Sequence, residues 1–499
     1  MLHAPLRGTV PAMAPIVAGE PPRPSEAVRA VGRMTRSLGT ASGAALVPGG
    51  LEAFMLRAVM ARAAGHGLDL QYYRWSDDVT GGLLAREVLR AADRGVRVRI
   101  LLDDSYVLGP ERRIALLDVH PRIELRLFNT ARFRFLGQFG LGLEFALGGW
   151  HLNHRMHNKN WVVDGAMALV GGRNIADAYF DGAGDFNFRD LDMLIAGQAA
   201  QQAQRVFDSY WASSLARPVE RFRRVARRAS QEALAAFRAE LDAIPETAKV
   251  HPYLQALRAE HGRWLERDHA LLPVPEDGPE GLRVLSDPPA KAQGRGVPGG
   301  VAPAVEAMLL GARREALLIS PYFVPGEAGM AVIEALARRG VAITVITNSL
   351  AATDVVAVHS GYARYRPRLV ELGVALHELK RSGRHDSGVF GSKGASLHTK
   401  ALMVDGDQVF VGSFNLDPRS ANLNTEMGAF ARHPGLAEKL AVERDRLCGP
   451  ERSYRVTRDP RGHLLWTDDE GSTAHEPEAP LARRALARLV RWLPIEAQL

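Results

Sequence analysis

One motif occurs twice in this chain: His-x-Lys, four further residues, then Asp. The copies are H-N-K-N-W-V-V-D (157–164) and H-T-K-A-L-M-V-D (398–405). Each continues through Asp-Gly and a short apolar run to a matching tail, G-G-R-N (171–174) or G-S-F-N (412–415). Two matching units at separate places indicate an internal duplication, so the sequence predicts two structurally related halves.

The composition is that of a soluble globular protein. At 499 residues the chain is too long for one ordinary core, and 46% of its residues are hydrophobic and 24% charged. The single cysteine, Cys448, excludes an intrachain disulfide framework and indicates a reducing compartment. No apolar stretch reaches the roughly 18 residues of a membrane span, and the N-terminus lacks the order of a signal peptide.

Strands alternate with helices in both halves, which predicts βαβ units and a largely parallel sheet with helices on both faces of each half. We therefore expect an α/β fold with a first lobe at 49–215 and a second at 281–450. A weakly ordered leader (1–48), an Arg-rich helical insertion and linker (216–280) and a tail with an amphipathic basic helix (451–499) complete the chain. The predicted strands lie at 68–75, 96–104, 123–129, 316–323, 341–348 and 374–379.

The charge pattern favours an anionic partner. The net charge is +7, which suits a membrane surface or a nucleic acid, although an Arg-rich solvated surface explains it equally well. Only seven of the 63 basic residues are Lys, yet both motifs keep Lys at the same position. That position therefore requires a compact ammonium group and not a planar guanidinium.

The spacing within each motif predicts its local structure. Residues two apart on a strand point to the same face, so His and Lys should lie side by side. Asp-Gly between apolar runs is a hairpin signal, which favours a turn-forming role for Asp164 and Asp405. Asn174 and Asn415 should lie in the first turn of a helix, whose free N–H groups bind phosphate oxygens.

The duplicated set indicates substitution at phosphorus. In-line displacement needs a nucleophile on one side of phosphorus and a proton donor on the other, and two facing halves can supply one histidine each. One His would form a phosphohistidine while the other protonates the leaving group. Paired Lys and Asn would stabilise the non-bridging oxygens, so we expect no cofactor and no metal.

Each histidine needs its second ring nitrogen held, usually by a carboxylate. Glu426 follows His398 in N-L-N-T-E-M-G, and the comparable first-half stretch is F-R-D-L-D (188–192). There we choose Asp190, with Asp192 as the alternative.

These motifs resemble those of the phospholipase D superfamily. Further stretches, including I-S-P-Y-F-V-P (319–325) and F-N-L-D-P-R-S-A-N-L-N-T-E-M-G (414–428), resemble its C-type bacterial cardiolipin synthases. The resemblance implies two pseudo-symmetric α/β/α sandwich lobes with one active site between them. It also implies that His157 is the nucleophile and His398 the acid, and that Lys159, Lys400, Asn174 and Asn415 bind phosphate. The implied catalytic set is His157, Lys159, Asp164, His398, Lys400 and Asp405.

Three functions remain open. The resemblance favours phosphatidyl transfer between phospholipids to form cardiolipin, with phosphatidylglycerol and phosphatidylethanolamine as candidate lipids. The alternative is a phospholipase D-type hydrolase, either a phospholipase or a nuclease; a non-catalytic membrane scaffold is the weakest candidate. We expect a peripheral protein on the cytoplasmic side of the bacterial inner membrane, and no nucleic acid partner. Protein partners are not predicted.

Two segments could contact lipid. The Phe/Leu/Gly-rich stretch 132–150 could line an acyl-chain entrance, or form an ordinary buried loop. In the C-terminal helix, Leu486, Leu489, Val490 and Leu493 share one face beside Arg483, Arg484, Arg488 and Arg491. That pattern fits an interfacial helix and also a helix docked on the protein's own core. Candidate pocket residues, for which packing is the alternative role, are Tyr322, Asn348, His359 and Tyr362.

Overall fold

The computed structural model gives the chain a two-lobed architecture. It describes residues 24–39, 41–104, 110–131, 150–221, 230–245, 251–266, 269–275, 281–295, 299–381, 394–493 and 496–498, together with isolated positions between 132 and 149.

The first lobe is built on a nine-stranded sheet with the order β10-β1-β8-β6-β5-β2-β3-β4-β9. Only the strands joined by helical crossovers, β2 to β4, run parallel, and the other pairings are antiparallel. The strands of this lobe are β1 Ser42–Val47, β2 Gly67–Tyr72, β3 Arg97–Asp103, β4 Ile123–Phe128, β5 Asn160–Val163, β6 Met167–Gly171, β7 Asn187–Arg189, β8 Asp192–Ala196, β9 Ala216–Pro218 and β10 Leu272–Val274. Of these, β7 lies outside the nine-stranded sheet.

The second lobe repeats this plan in a ten-stranded sheet with the order β11-β18-β17-β16-β12-β13-β14-β19-β20-β21. Again three strands, β12 to β14, are parallel and the hairpin strands add in antiparallel fashion. The strands of this lobe are β11 Arg283–Ser286, β12 Glu315–Ile319, β13 Ala342–Asn348, β14 Ala375–Leu379, β15 Ala395–Leu397, β16 Ala401–Val404, β17 Gln408–Gly412, β18 Met427–Arg432, β19 Ser453–Arg458, β20 Leu464–Thr467 and β21 Ser472–Thr473. Of these, β15 lies outside the ten-stranded sheet and pairs with β7.

Helices connect and cover the two sheets. Those associated with the first lobe are α1 Pro24–Thr35, α2 Gly50–Ala63, α3 Val79–Asp93, α4 Gln198–Trp211, α5 Gln231–Ala243 and α6 Pro252–Glu266. Those of the second lobe are α7 Val301–Leu310, α8 Gly326–Arg338, α9 Val356–Tyr362, α10 Arg366–Glu371, α11 Pro418–Asn422, α12 Pro434–Cys448 and α13 Leu481–Val490.

The lobes share a hydrophobic core. Buried side chains from the two hairpins, including Val162 and Val170 of the first lobe and Met403 and Val411 of the second, belong to one continuous cluster. Each lobe also has its own core on the other side of its sheet. The inner faces of the two sheets are therefore held together by apolar packing, which fixes the relative position of the two motifs.

The predicted pseudo-symmetric α/β fold is confirmed, with corrections to its details. The sheets are mixed and not largely parallel, because the duplicated hairpins insert antiparallel strands beside the parallel set. The leader prediction was wrong over its second part, since α1 packs into the first core and β1 pairs with β8. Strand β10 of the predicted linker and strands β19 to β21 of the predicted tail likewise extend the sheets.

The two motif aspartates form the hairpin turns, as the Asp-Gly signal predicted. Asp164 and Asp405 both have positive φ, 53° and 55°, as do the glycines that follow them. The Asp164 carboxylate accepts backbone N–H groups from residues 65–67 at 2.8–2.9 Å. The Asp405 carboxylate does the same for residues 313–315. Each aspartate thus ties its hairpin to the start of a neighbouring strand.

We predict that Asp405 contributes to stability and not to chemistry. Asp405→Ala removes three hydrogen bonds to a carboxylate and places Ala at positive φ, so the free energy of unfolding should fall by about 1–2 kcal/mol. Asp405→Asn keeps an acceptor and tolerates positive φ, so its loss should be smaller. Chemical denaturation measures both. Turnover of a soluble phosphodiester by the folded Asn variant should stay within about twofold of wild type; an inactive but fully folded variant would assign the carboxylate a direct role.

Candidate active site

The two histidines meet at the boundary between the lobes, on segments that exchange backbone hydrogen bonds with the opposite lobe. His157 N–H donates to the carbonyl of Thr425 (2.9 Å), and His398 N–H donates to the carbonyl of Arg189 (2.7 Å). The second contact continues a two-stranded parallel sheet formed by β7 of the first lobe and β15 of the second. Each histidine is therefore positioned by the residue just before a carboxylate of the other lobe.

His157 is held by Glu426. Its Nδ1 lies 2.9 and 3.1 Å from the two carboxylate oxygens, and Ser413 and Ser420 donate their hydroxyls to the same group. Burial opposes ionisation of Glu426, but His157, Lys159 and Ser413 hold the pKa of the carboxyl below its usual range. Burial also lowers the pKa of His157, against the raising effect of Glu426. The pair is thus a neutral imidazole beside an ionised carboxylate.

His398 is held by Asp190 in the reciprocal arrangement. Its Nδ1 lies 2.6 Å from Asp190 Oδ2. Lys400 Nζ also lies 3.0 Å from this nitrogen, but an Nδ1–H that donates to Asp190 has no lone pair left to accept from Lys400. Burial, reinforced by Lys400, Lys159 and His157, lowers the pKa of His398 well below its usual value. Both rings are therefore neutral with Nδ1 occupied, which leaves Nε2 for chemistry at phosphorus.

The sequence choice between Asp190 and Asp192 is decided by their contacts. Asp192 faces away from the histidines and forms buried ion pairs with Arg57 (2.9 Å) and Arg173 (3.3 Å). Arg173 also donates to the backbone carbonyl of Asp190 at 2.6 Å. Asp192 therefore supports the loop that carries Asp190 and does not contact His398 itself.

Both motif lysines are buried beside the histidines. Each ammonium donates to the carbonyl of the histidine two residues earlier, Lys159 at 2.6 Å and Lys400 at 2.5 Å. Burial lowers the pKa of Lys159 well below its usual value and that of Lys400 to about 8, although Asp190 and Glu426 act in the opposite direction on Lys400. A bound phosphate would raise both pKa values, because its negative charge stabilises the ammonium groups that burial has deprived of hydration.

Asn174 and Asn415 are buried at the site, but neither begins a helix. A short 3-10 helix starts at Asp177 and α11 starts at Pro418, because the residues after each asparagine first make isolated parallel bridges, Trp75↔Ile175 and Phe323↔Leu416. The expected helix N-terminus is therefore not the phosphate site. The side-chain Oδ1 atoms of both asparagines lack a hydrogen-bond partner in the described part of the chain. These oxygens are acceptors, so a ligand hydroxyl could satisfy them, whereas phosphate oxygens would have to bind the amide N–H groups, of which that of Asn174 donates to the Tyr179 hydroxyl at 2.9 Å.

The four candidate pocket residues divide into different roles. The side chain of Asn348 accepts from the N–H of Leu397 at 2.8 Å and donates to its carbonyl at 3.0 Å, which positions the residue before His398. Tyr322 donates to Asp354. His359 and Tyr362 belong to a buried network of ionic groups in the second lobe, which comprises Arg366, Glu378 and Glu476. Structural hydrogen bonds and ion pairs therefore account for the burial of His359 and Tyr362. The stretch 132–150 lies almost entirely outside the described residues.

Four residues that contact the histidines or Glu426 were not predicted from the sequence. Tyr73 contacts the His157 ring edge-on at 5.4 Å, and Tyr179 contacts His398 in the same way at 5.0 Å. Ser413 and Ser420 complete the shell of Glu426. Ser413 is the second residue of the G-S-F-N tail, so its place in the motif was the available signal.

No cluster of metal-binding side chains occurs among the described residues.

Comparisons with known proteins agree on one family. A family model described as "Cardiolipin synthase, PLD-like domain" matches residues 58–211 and 305–448. Cardiolipin synthase C of Escherichia coli (strain K12) is 40% identical over an alignment of 462 positions, which covers 89% of this chain and 94% of that protein. A cardiolipin synthase of Geobacillus kaustophilus is 26% identical and aligns over 80% of this chain and 65% of its own length.

Among solved structures, the crystal structure of phosphatidylserine synthase from Haemophilus influenzae superposes with a TM-score of 0.57. It covers 94% of this chain and all of that one, at 14% identity. This similarity supports the two-lobed fold.

We predict that the two carboxylates act through the histidine of the opposite lobe. Glu426→Gln and Asp190→Asn should each reduce turnover of a soluble phosphodiester by about 10²- to 10⁴-fold, because an amide in place of the carboxylate allows the wrong imidazole tautomer. Steady-state kinetics at a temperature where the variants are folded measures this loss. Asp192→Asn is the contrasting variant, since it should lower the unfolding temperature more than the turnover of the folded fraction. Full activity of Glu426→Gln would contradict the assignment.

Proposed function

The chain belongs to the cardiolipin synthases of the phospholipase D superfamily and is a phosphatidyltransferase, and we propose that it works through a phosphohistidine on His157. The observation that carries this proposal is the pair of neutral histidines, each held at Nδ1 by a carboxylate of the other lobe. This geometry leaves one nucleophilic and one acid–base nitrogen for a single phosphorus.

In the first displacement, Nε2 of His157 attacks phosphorus and a P–N bond forms as the bond to the leaving alcohol breaks. Glu426, kept ionised by His157, Lys159 and Ser413, stabilises the positive charge that develops on the ring. His398 donates a proton to the departing oxygen. The negative charge of the bound phosphodiester favours the protonated form of His398, which burial disfavours in the empty site.

In the second displacement, a hydroxyl of the acceptor lipid attacks phosphorus while His398 takes its proton, and the P–N bond breaks. Lys159, Lys400 and the two buried asparagines hold the non-bridging oxygens through both steps. Phosphatidylglycerol supplies the free glycerol hydroxyl that cardiolipin requires. Phosphatidylglycerol and phosphatidylethanolamine are the donors that we propose.

The function is tested with purified protein in lipid vesicles. We expect cardiolipin from labelled phosphatidylglycerol, with activity that persists in EDTA because the stabilising charges come from lysine and asparagine. His157→Ala and His398→Ala should each abolish it. With a substrate that carries a good leaving group, His398→Asn should accumulate label on His157, detected by peptide mapping. Label on His398 in the converse variant would reverse the roles, and phosphatidic acid or DNA cleavage as the main product would favour the hydrolase alternative.

We propose that the C-terminal helix, Leu481–Val490, docks the protein on an anionic membrane. Its inner face is attached to the second lobe: Arg483 donates to the carbonyl of Leu350 (2.7 Å), and Ala487 packs against the cluster around Leu350. Its apolar face is turned outward, with Leu489 67% exposed, and Trp492, just beyond the end of the helix, is 87% exposed. An outward apolar face flanked by arginine is the arrangement of an interfacial helix and opposes docking of that face on the protein's own core.

The helix lies close to the active-site cleft. Thr353, which like Leu350 accepts from Arg483, directly precedes Asp354, and the negative charge of Asp354 opposes the lowering of the Lys400 pKa by burial. A bilayer contacted by this face would therefore lie near the site where lipid headgroups react. No helix of the described residues has the length and apolarity to cross a bilayer. We propose peripheral binding on the cytoplasmic side of the bacterial inner membrane.

Removing the apolar anchors should weaken vesicle binding. In the variant Leu489→Ser/Trp492→Ser, two side chains that would enter the lipid interface are lost, and the affinity for phosphatidylglycerol vesicles should fall at least tenfold. Vesicle flotation or surface plasmon resonance measures this. Val442→Ser, which replaces another exposed apolar residue, is the matched control and should bind like wild type. Salt should weaken wild-type binding, since arginines contribute about 1 kcal/mol each near an anionic surface. Unchanged affinity of the double variant would contradict membrane docking by this helix.

A further inference from the structure

Two arginines beside the histidine site, Arg155 and Arg419, have no role in the two displacements. Arg155 lies two residues before His157, on the extended segment that pairs with Thr425. Because side chains two apart on an extended segment point the same way, Arg155 continues the row formed by His157 and Lys159. The corresponding residue before His398 is Ser396, so only one side of the pseudo-symmetric site carries this extra charge.

Arg419 approaches the same place from the second lobe. It lies on helix α11. The residue that follows it, Ser420, donates its hydroxyl to Glu426. Its guanidinium donates to the backbone carbonyl of Asn153 (3.0 Å) and to the side-chain oxygen of the same residue (2.5 Å), both neutral groups. In the described part of the chain no carboxylate lies within ion-pair distance of Arg419. A half-buried cation with neutral partners is costly unless an anion joins it.

The two arginines lie close enough to each other and to Tyr73 for their charges to interact. Burial lowers the pKa of Arg419, Arg155 lowers it further, and Tyr73 and Asp417 oppose this. Tyr73 is the residue that contacts the His157 ring. Arg155 has an acidic neighbour in Asp103, at 3.6 Å. Asp417 caps α11 through the N–H of Ser420, and burial raises its pKa to about 7, which reduces its ability to neutralise Arg419.

We propose that Arg155 and Arg419 bind the phosphate of the acceptor phospholipid, the phosphodiester that does not react. This proposal rests on the phosphatidyl transfer proposed above. A product with two phosphodiesters requires room for a second anion, whereas the histidines, lysines and asparagines surround only one phosphorus. A guanidinium group can donate two parallel hydrogen bonds to two oxygens of one phosphate. Arg155 and Arg419 together carry more N–H donors than the two oxygens of Asn153 accept.

The test sets two acceptors in competition with the full-length protein. Detergent micelles contain phosphatidylglycerol as donor and acceptor. Deuterated glycerol is added as an acceptor that carries no phosphate, so that its transfer product, deuterated phosphatidylglycerol, is distinguished from the donor by mass spectrometry. Arg419→Gln should lower the ratio of cardiolipin to glycerol-transfer product by about tenfold, and Arg155→Gln/Arg419→Gln by up to about a hundredfold. Transfer to glycerol should remain within about twofold. Arg97→Gln, which removes an exposed arginine from β3, is the control and should leave the ratio unchanged.

The outcomes separate the two levels of the proposal. An unchanged product ratio in the double variant would overturn the acceptor site. Equal loss of both products, with an unchanged unfolding temperature, would also overturn it, because the arginines would then serve the phosphorus common to both reactions. If the wild-type protein forms phosphatidic acid but neither transfer product, the proposed phosphatidyl transfer itself fails, whatever the arginine variants do.

Discussion

The active site depends on a reciprocal exchange between the lobes. His157 is oriented by Glu426 and His398 by Asp190, and in both cases the backbone N–H of the histidine is bound by the residue before that carboxylate. Neither lobe supplies both members of the His157–Glu426 or the His398–Asp190 pair. The positions of the two histidine rings are therefore fixed by hydrogen bonds between the lobes, which also share one apolar core.

This arrangement buries charged side chains at the boundary between the lobes, which is energetically unfavourable. Two carboxylates and two lysines lie in one dry cluster, and unpaired ions in such a place are unstable. The two carboxylates are satisfied differently: Glu426 receives two serine hydroxyls, while Asp190 receives the N–H of Leu191. Its loop is held from behind by the Arg57–Asp192–Arg173 network. Both lysines donate to neutral backbone carbonyls, so a bound phosphate would supply the charged acceptor that their ammonium groups lack.

The sequence predicted the features that depend on local pattern. The duplicated motif with its Asp-Gly turn predicted both hairpins, and the alternation of strands and helices predicted two α/β lobes. It did not predict contacts between distant segments: Glu426 follows His398 in sequence but holds His157 in space. The helix expected at Asn174 and Asn415 was displaced because those residues lead into bridges with loops about 100 positions away. The contribution of residues 42–47 to the sheet was missed because a short strand of small residues has little periodicity of its own.

The crossed pairing has a consequence for the history of such a chain. A single half-length ancestor could build this site only by associating with a second copy about a true two-fold axis, in which each subunit lends its carboxylate to the other. Fusion into one polypeptide removes the requirement that the subunits be identical. The first half now has Arg173 and Asp192 where the second has Phe414 and Gly428, and Arg155 where the second has Ser396. Covalent linkage thus allowed the two halves of an originally symmetric site to acquire different side chains around their histidines.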